Sequence, residues 1–279
     1  MQVVKTVADV RRIRKELAGT WGLVPTMGFL HAGHISLVER ARGENTRVGA
    51  SVFVNPTQFG PGEDLAAYPR DLERDLGLLE QAGADLVWVP SAEEVYPSDY
   101  RTFVVVEGVT MPLEGAARPG HFRGVATVVA KLLNVFLPDR AYFGQKDAQQ
   151  VVVIRQMVRD LNFPIELVVC PTVREADGLA MSSRNVYLTP EQRAAATVLY
   201  RALSAARDVW TSGERDGEQL RQAMRRVLEA EPLARTEYIS AADPRTLEEL
   251  GPASRGVLLS MAVRIGKARL IDNLLLGDG

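Results

Sequence analysis

The sequence predicts an α/β protein in which a parallel-sheet domain is followed by a smaller α+β domain. First, short apolar runs typical of buried strands alternate with helical patterns over residues 1–172, as in parallel sheets. Second, two long amphipathic patterns precede three strand-like runs after residue 172, which favours an α+β arrangement. Third, a chain of 279 residues is long enough for two ordinary domains. We therefore expect domains at 1–172 and 173–279.

Capping and breaking signals define the elements of the first domain. Thr6, followed by Asp9, fits a capping box for a helix that ends near residue 17. Pro69 suits the first turn of a helix that runs to residue 82, and Gly83 suits its stop. Residues 55–62 are rich in Pro and Gly and predict a loop. The predicted strands are 21–24, 46–54, 85–89, 101–107, 140–143 and 165–170, and further helices follow the strand at 21–24, cover 125–137 and follow residues 144–147 up to about 159.

Helices precede strands in the second domain. Long amphipathic helices are predicted at 191–211 and 216–230, and strands at 236–242, 256–263 and 268–275. The joint between the two domains is expected near residues 172–185.

Composition argues against several classes of protein. An apolar fraction of 46% and a charged fraction of 24% are ordinary for a soluble globular protein. A net charge of −2 gives no reason to expect a nucleic-acid partner. The sequence has no run of about 20 apolar residues that would span a membrane and no N-terminal leader pattern, so we expect a cytoplasmic protein without a membrane partner. The single cysteine, Cys170, excludes an internal disulfide and lies in an apolar run typical of a buried strand.

The stretch 25–34, Pro-Thr-Met-Gly-Phe-Leu-His-Ala-Gly-His, follows a predicted strand and opens a helix. Ligands bind at the carboxyl ends of strands in such sheets, and a helix N-terminus suits phosphate. His31 and His34 flank Gly33 and share one helix face, where imidazoles can donate to phosphate oxygens and stabilise developing charge. The alternatives are a surface histidine pair and a zinc site, but the HExxH pattern of zinc enzymes is absent and Cys170 is distant in sequence.

Two further polar segments carry candidate chemistry. Residues 144–150, Gly-Gln-Lys-Asp-Ala-Gln-Gln, follow a predicted strand, so Lys146 could bind phosphate and Asp147 could bind ribose hydroxyls. Residues 181–185, Met-Ser-Ser-Arg-Asn, place two hydroxyls and a guanidinium in one loop at the domain joint, where they could follow a leaving pyrophosphate. A solvated Lys–Asp turn and a helix-cap linker are the alternatives for these two segments.

The helical phase after Gly144 separates two glutamines. If this segment is one helix, Gln150 shares the face of Lys146, whereas Gln149 follows Gln145. We therefore expect Gln150 to face the ligand.

The strand, glycine turn, H-x-G-H and helix together resemble the signature of HIGH-type nucleotidyltransferases, which are Rossmann-like enzymes that attack the α-phosphate of ATP. In those enzymes the second histidine stabilises the transition state of adenylyl transfer, which implies this role for His34. The placement of 181–185 resembles their mobile KMSKS loop.

A series of motifs closely resembles the pantothenate synthetase family, also called pantoate–β-alanine ligases. The likeness covers essentially all of the first domain and the joint, and it is looser beyond Leu188. One departure is Thr57, where methionine is expected; we expect it to alter the shape of the pocket without removing a reactive group. The motifs are Pro25-Thr26-Met27-Gly28 with His31 and His34, Phe53-Val54-Asn55-Pro56 with Gln58-Phe59-Gly60, Arg118–Gly124, Tyr142–Asp147 and Met181–Asn185.

The resemblance implies that the protein condenses pantoate with β-alanine to pantothenate in two steps. ATP and pantoate would give pantoyl adenylate and pyrophosphate, and the amine of β-alanine would then displace AMP. The resemblance also implies Mg²⁺ as the ATP-bound ion with no protein metal site, a homodimer, and a Rossmann-like first domain with residues 173–279 as a lid.

The resemblance also implies a set of site residues, with His34 the strongest catalytic candidate. The implied catalytic residues are His31, His34, Lys146, Ser182, Ser183 and Arg184. The implied nucleotide-binding residues are Met27, Gly28, Phe29, Leu30, His31, Ala32, Gly33, His34, Gly144, Gln145, Lys146, Asp147, Val173, Met181, Ser182, Ser183 and Arg184. Gln58 and Gln150 are implied to hold pantoate.

Other functions remain as alternatives at this point. A cytidylyltransferase of the same superfamily would retain the nucleotide in its product, and a nucleotide-binding regulator would bind without turnover. A dehydrogenase and a P-loop kinase are disfavoured because their glycine motifs are absent. A tRNA synthetase fragment is disfavoured because no basic or anticodon-reading domain is evident.

Overall fold

A computed structural model of the chain describes residues 1–253 and 256–277, which divide into two compact units. The N-terminal unit comprises Met1–Gly144 and Val153–Pro171. The C-terminal unit comprises Gln145–Val152 and the described residues from Thr172 onward. The turn that follows residue 144 is therefore part of the C-terminal unit.

A parallel sheet forms the centre of the N-terminal unit. Its order is β1-β4-β3-β2-β5-β6, and every pairing within it is parallel. Strands β3 and β4 continue the sheet to one side of β2, whereas β5 and β6 continue it to the other, so the order reverses between β2 and β5. Ligands of open α/β sheets bind at such a point. The strands are β1 Gln2–Val4, β2 Trp21–Thr26, β3 Arg47–Val52, β4 Leu86–Trp88, β5 Arg140–Gly144 and β6 Glu166–Cys170.

Helices connect these strands, and the predicted α/β class is confirmed. Buried aliphatic side chains such as Val38 on α2, Ala50 on β3 and Val87 on β4 form one of the cores between sheet and helices. The helices are α1 Val7–Glu16, α2 Ala32–Glu44, α3 Leu72–Gln81, α4 Ala92–Val95, α5 Glu114–Ala117, α6 His121–Phe136 and α7 Ala148–Asp160, the last of which begins in the C-terminal unit.

Local capping decides where two of these helices begin or end. Thr6 caps α1 as predicted, because its side chain accepts from the Asp9 N–H. Helix α3 does not begin at Pro69, and that prediction is wrong. Asp71 caps it instead by accepting from the Arg74 N–H at 3.2 Å. Gly83 ends the helix as predicted, with φ of +89°.

Two other sequence-based boundaries are also wrong. Residues 101–107 are described and form no strand, because the Val104 N–H donates to the Thr127 hydroxyl at 2.9 Å and the Val106 carbonyl accepts from the Thr110 hydroxyl. The Thr127 and Thr110 hydroxyls therefore take the hydrogen bonds that a neighbouring strand would otherwise make with this backbone. Helix α6 begins at His121 and not at residue 125, with Gly120 in the left-handed region at φ of +85° before it.

The C-terminal unit packs helices against an antiparallel sheet of order β7-β8-β9. Leu203, Met224 and Met261 are fully buried in its core. The single helix predicted at 191–211 is wrong, because Ala196 and Thr197 form a turn in which the Leu199 N–H reaches the Ala196 carbonyl at 3.3 Å. The elements are α8 Pro190–Ala195, α9 Val198–Thr211, α10 Gly217–Glu229, β7 Ala234–Ala242, β8 Gly256–Ile265 and β9 Ala268–Gly277.

Among the described residues, no helix combines the length and the apolar character that crossing a membrane requires.

Candidate active site

The chain leaves β2 through a turn with two successive left-handed residues. Gly28 has φ of +83° and Phe29 has φ of +49°. Glycine adopts this region freely, but a side chain such as that of Phe29 makes it costly. The turn therefore needs support from elsewhere in the fold.

Asp75 on α3 supplies that support. Its side chain is 1% exposed, and its two oxygens accept from the Phe29 N–H at 2.6 Å and the Leu30 N–H at 2.7 Å. Burial raises the pKa of Asp75 despite these bonds. The Arg74 guanidinium lies 3.9 Å from the carboxylate. Asp75 was absent from the sequence-based candidates. The available signal was an acidic residue one helical turn before Leu79, on the buried stripe of α3.

His31 and His34 cap the helix that follows this turn. His31 Nδ1 accepts from the Gly33 N–H at 3.2 Å, and His34 Nδ1 accepts from the His31 N–H at 3.3 Å. A backbone N–H can only donate, so each Nδ1 carries no proton and each imidazole carries its proton on Nε2. The ring centroids are 4.1 Å apart. Each ring of the pair therefore accepts from the helix at Nδ1 and can donate at Nε2.

Asn55 orients the amide of Gln58. Asn55 is buried, and its Nδ2 donates to the Gly124 carbonyl at 3.2 Å and to Gln58 Oε1 at 3.1 Å. Its Oδ1 accepts from the Thr57 N–H at 3.3 Å, the Thr57 hydroxyl at 2.9 Å and the Tyr96 hydroxyl at 2.9 Å. A carbonyl only accepts and an N–H only donates, so these two backbone groups fix which way the Asn55 amide points. Burial raises the pKa of Tyr96 to about 12, so its hydroxyl keeps its proton.

The Gln58 side chain is consequently presented as a donor. Its oxygen accepts from Asn55, whereas its Nε2 lies 2.9 Å from the sulfur of Met27, a weak acceptor. A ligand oxygen would be a stronger partner for this amide group. Thr57 adds a hydroxyl to this network.

His121 and Arg118 hold the backbone of the same segment. Arg118 binds both oxygens of Glu63, at 2.9 and 2.6 Å, and its Nη1 lies 3.0 Å from His121 Nε2. His121 Nδ1 lies 2.8 Å from the Gln58 carbonyl. Burial, with the nearby Arg118 charge, lowers the pKa of His121 to about 4. The ring is therefore neutral, donates through Nδ1–H to the carbonyl and accepts from Arg118 at Nε2.

Lys146 lies in a 3₁₀ turn and not in a continuous helix. Gln145–Asp147 form the turn, and α7 begins at Ala148. The Lys146 ammonium lies 3.9 Å from an Asp147 oxygen. The helix predicted to follow residues 144–147 is confirmed, but the single helical phase assumed from Lys146 to Gln150 is wrong, because this four-residue step crosses a change of helix type. Gln150 is half-buried, whereas Gln149 is buried.

The serine–arginine segment forms a second short turn of the C-terminal unit. Ser182 caps the 3₁₀ helix Ser183–Tyr187 by accepting from the Arg184 N–H at 3.2 Å. Ser183 is buried. The Met181 N–H donates to the Val173 carbonyl at 3.0 Å, so these two predicted nucleotide-binding residues lie side by side.

Comparison with known proteins identifies the family. A family model described as pantoate-beta-alanine ligase matches residues 2–275. The chain belongs to the pantoate–β-alanine ligase family. It is similar to the pantothenate synthetase of Herpetosiphon aurantiacus, with 64% identity over 99% of this chain and 100% of that protein. It is also similar to that of Moorella thermoacetica, with 55% identity over 99% of both chains.

Solved structures of the family have the same fold. The crystal structure of pantothenate synthetase from Thermus thermophilus has a TM-score of 0.94 and 55% identity, and the match covers 98% of this chain and 99% of that one. The pantoate-beta-alanine ligase from Francisella tularensis, complexed with beta-gamma ATP and beta-alanine, has a TM-score of 0.81 and 36% identity over 99% of this chain and 97% of that one.

Family membership decides between the alternatives. The enzyme condenses pantoate with β-alanine to pantothenate in an ATP-dependent reaction through pantoyl adenylate, as predicted. It is therefore a carbon–nitrogen ligase. This excludes the two alternative functions, a cytidylyltransferase and a nucleotide-binding regulator.

Each unit of this ligase brings some of the predicted residues together. The N-terminal unit gathers residues 27–34 with Gln58, through the Met27 contact. The C-terminal unit holds Lys146 with Asp147, and Val173 with Met181. Within the described residues there is no cluster of three or more His, Cys, Asp or Glu side chains that could hold a metal ion.

Proposed function

We propose that the capping histidines of α2 and the polar turns of the C-terminal unit carry out the two half-reactions of this ligase. The observation that carries the proposal is the reciprocal cap between His31 and His34. Because each Nδ1 accepts from the backbone, each ring offers an Nε2–H donor at the N-terminus of a helix, where phosphate binds well.

In the first half-reaction, a carboxylate oxygen of pantoate attacks the α-phosphorus of ATP and the bond to pyrophosphate breaks. We assign His34 as the principal catalytic residue, which donates to a phosphate oxygen as negative charge develops there. His31 and Lys146 would hold neighbouring phosphate oxygens. Ser182, Ser183 and Arg184 would close over the pyrophosphate as it leaves.

The remaining contacts position the substrates. Gln58 would donate through Nε2 to an oxygen of pantoate, since its own oxygen already accepts from Asn55, and Gln150 would hold pantoate as well. Asp147 would bind the ribose and the Val173 backbone the adenine. The remaining proposed nucleotide contacts are Met27, Gly28, Phe29, Leu30, Ala32, Gly33, Gly144, Gln145 and Met181.

In the second half-reaction, the amine of β-alanine attacks the acyl carbon of pantoyl adenylate and AMP leaves. The mixed anhydride must be kept from water. We propose that residues 173–279 act as the lid that does so. Binding of ATP and β-alanine is also supported by the Francisella tularensis ligase, which was crystallised with beta-gamma ATP and beta-alanine.

Mg²⁺ would enter as the ion bound to ATP. In that form the ion would be held mainly by phosphate oxygens and water. We further propose a cytoplasmic homodimer, which light scattering and fractionation would test.

Pyrophosphate exchange tests the assignment of the half-reactions. With Mg²⁺ and pantoate but no β-alanine, the enzyme should exchange labelled pyrophosphate into ATP. With β-alanine and no pantoate, it should not. Exchange supported by β-alanine alone would mean that the other acid is activated and would overturn the scheme.

A further inference from the structure

The last strand of the C-terminal unit makes an unusual set of contacts with the Lys146 turn. Asn273 on β9 is 3% exposed. Its Nδ2 donates to the Gln145 carbonyl at 3.0 Å and to the Lys146 carbonyl at 2.9 Å. Its Oδ1 accepts from the Gln145 side chain at 3.0 Å. Both amide hydrogens and the amide oxygen are thus directed at one turn that lies far away in sequence.

These bonds matter because the turn is short. Gln145–Asp147 form one 3₁₀ turn, and such turns have poorer hydrogen-bond geometry than an α-helix. Two successive carbonyls held by one amide fix the direction of the peptide units on both sides of the Lys146 Cα. The starting direction of the Lys146 side chain, which is 21% exposed, is set by this backbone.

The neighbouring residue on β9 performs a similar task for another segment. Asp272 is buried and binds Arg174 through both oxygens, at 2.6 and 2.9 Å. Arg174 also donates to the Gly178 carbonyl at 3.0 Å. Because Arg174 follows Val173, adjacent residues of one strand hold two segments to which nucleotide contacts are assigned.

We infer that Asn273 is a positioning residue for adenylation, because it fixes the turn that aims Lys146 at the phosphates. The inference rests on the role of Lys146 under the proposed function. It adds a residue from a part of the chain where the likeness to the family motifs was loosest, and it makes β9 part of the active-site framework.

The isosteric substitution Asn273→Asp tests the inference. A carboxylate oxygen would replace the donating Nδ2 and face two carbonyl oxygens, so the turn should shift. Pyrophosphate exchange should fall by about 10- to 100-fold, the loss that follows in metal enzymes when a residue that orients a metal ligand is removed. The KM for pantoate and the rate at which β-alanine attacks supplied pantoyl adenylate should each stay within about twofold of the unsubstituted enzyme. Neither quantity depends on Lys146 under the proposed function.

Ser260→Ala is the matched control. Ser260 lies opposite Asn273 in the register of β8 and β9, and it is buried as well. It should keep near-normal exchange. Thermal unfolding of each variant reports whether the fold is kept, and if Asn273→Asp does not fold, Asn273→Ala removes the same bonds without adding charge.

A double variant separates positioning from a general structural effect. If Asn273 acts through Lys146, adding Asn273→Asp to Lys146→Ala should lower exchange little further, because coupled residues are not additive. Full multiplication of the two losses would overturn the inference, as would an Asn273→Asp enzyme that matches Ser260→Ala. If Lys146→Ala itself keeps normal exchange, the proposed role of Lys146 is wrong, and so is the inference about Asn273. This result differs from the other two, in which Lys146→Ala lowers exchange and only the inference about Asn273 is overturned.

Discussion

His34 is expected to have two separable roles, and one pair of substitutions can separate them. Its Nδ1 caps α2 by accepting from the His31 N–H at 3.3 Å, and its Nε2–H is the proposed donor to phosphate. His34→Ala removes both. His34→Gln restores a cap, because glutamine is an ordinary capping-box residue at this helix position, but its amide then turns back to the backbone and is not held where Nε2 lies.

The two roles have different magnitudes. Loss of a cap costs about 0.5–2 kcal/mol of stability, whereas loss of one preorganised donor to a developing charge costs about 10²- to 10³-fold in rate, or roughly 3–4 kcal/mol. His34→Ala should therefore lose both stability and adenylation. His34→Gln should recover most of the stability and keep an adenylation defect of at least about 10²-fold.

Thermal unfolding and pantoate-dependent pyrophosphate exchange measure the two roles independently. Ser36→Ala is a control on the same helix, where the Ser36 hydroxyl donates to the Gly33 carbonyl at 2.9 Å. If His34→Gln regained full exchange together with stability, capping alone would explain His34 and its catalytic role would be refuted.

Three other sites give measurable expectations. The Asp75 carboxylate accepts from two backbone N–H groups, and Asp75→Asn replaces one of the two accepting oxygens by an NH₂ group. The free energy of unfolding should fall by about 1–3 kcal/mol, and pyrophosphate exchange should fall as well. An unchanged melting temperature with unchanged exchange would contradict this. The pKa of His121 is about 4 in the folded protein, against 6.5 ordinarily. As the pH falls, the unfolded chain therefore takes up this proton at a higher pH than the folded protein does. Stability should then decline as pH falls from about 6.5 towards 4, by up to about 3 kcal/mol before discounting for partial exposure, and an unaltered pH slope in His121→Gln would refute it. Gln150→Ala should weaken pantoate use by about 1–3 kcal/mol, whereas Gln149→Ala, at a buried position, should mainly lower the melting temperature; steady-state kinetics giving the reverse would show that the assignment of the two glutamines is wrong.

Signals that act over a few residues were predictable from the sequence. The cap at Thr6 and the stop at Gly83 each depend on atoms within one or two turns of the helix. The alternation of strands and helices likewise predicted the parallel sheet. The wrong boundary at Pro69 has a local reason as well, because the Asp71 side chain accepts from the Arg74 N–H and so places the cap two residues after Pro69.

Interactions between distant segments explain what could not be predicted. Residues 101–107 have strand-like composition, but the Thr127 hydroxyl takes the N–H that a neighbouring strand would have bound. Asp75 supports the histidine turn from 45 residues away, and Asn273 supports the Lys146 turn from the last strand. Neither side chain belongs to a motif, because the groups through which each one fixes its turn are backbone groups that any residue provides.

The capping histidines show why the motif with the proposed catalytic role could be recognised from the sequence. A glutamate cap satisfies the helix by accepting, and its carboxylate then has no donor to offer a phosphate. A neutral imidazole accepts at Nδ1 and donates at Nε2, so the same ring can complete the helix and face an anion. The cap also selects the tautomer that donates. Under the proposed function, helix capping and phosphate binding favour the same residue type at the same spacing, which makes H-x-G-H after a strand informative. Asp75 and Asn273 instead act on the backbone of distant turns, which leaves no pattern in the sequence.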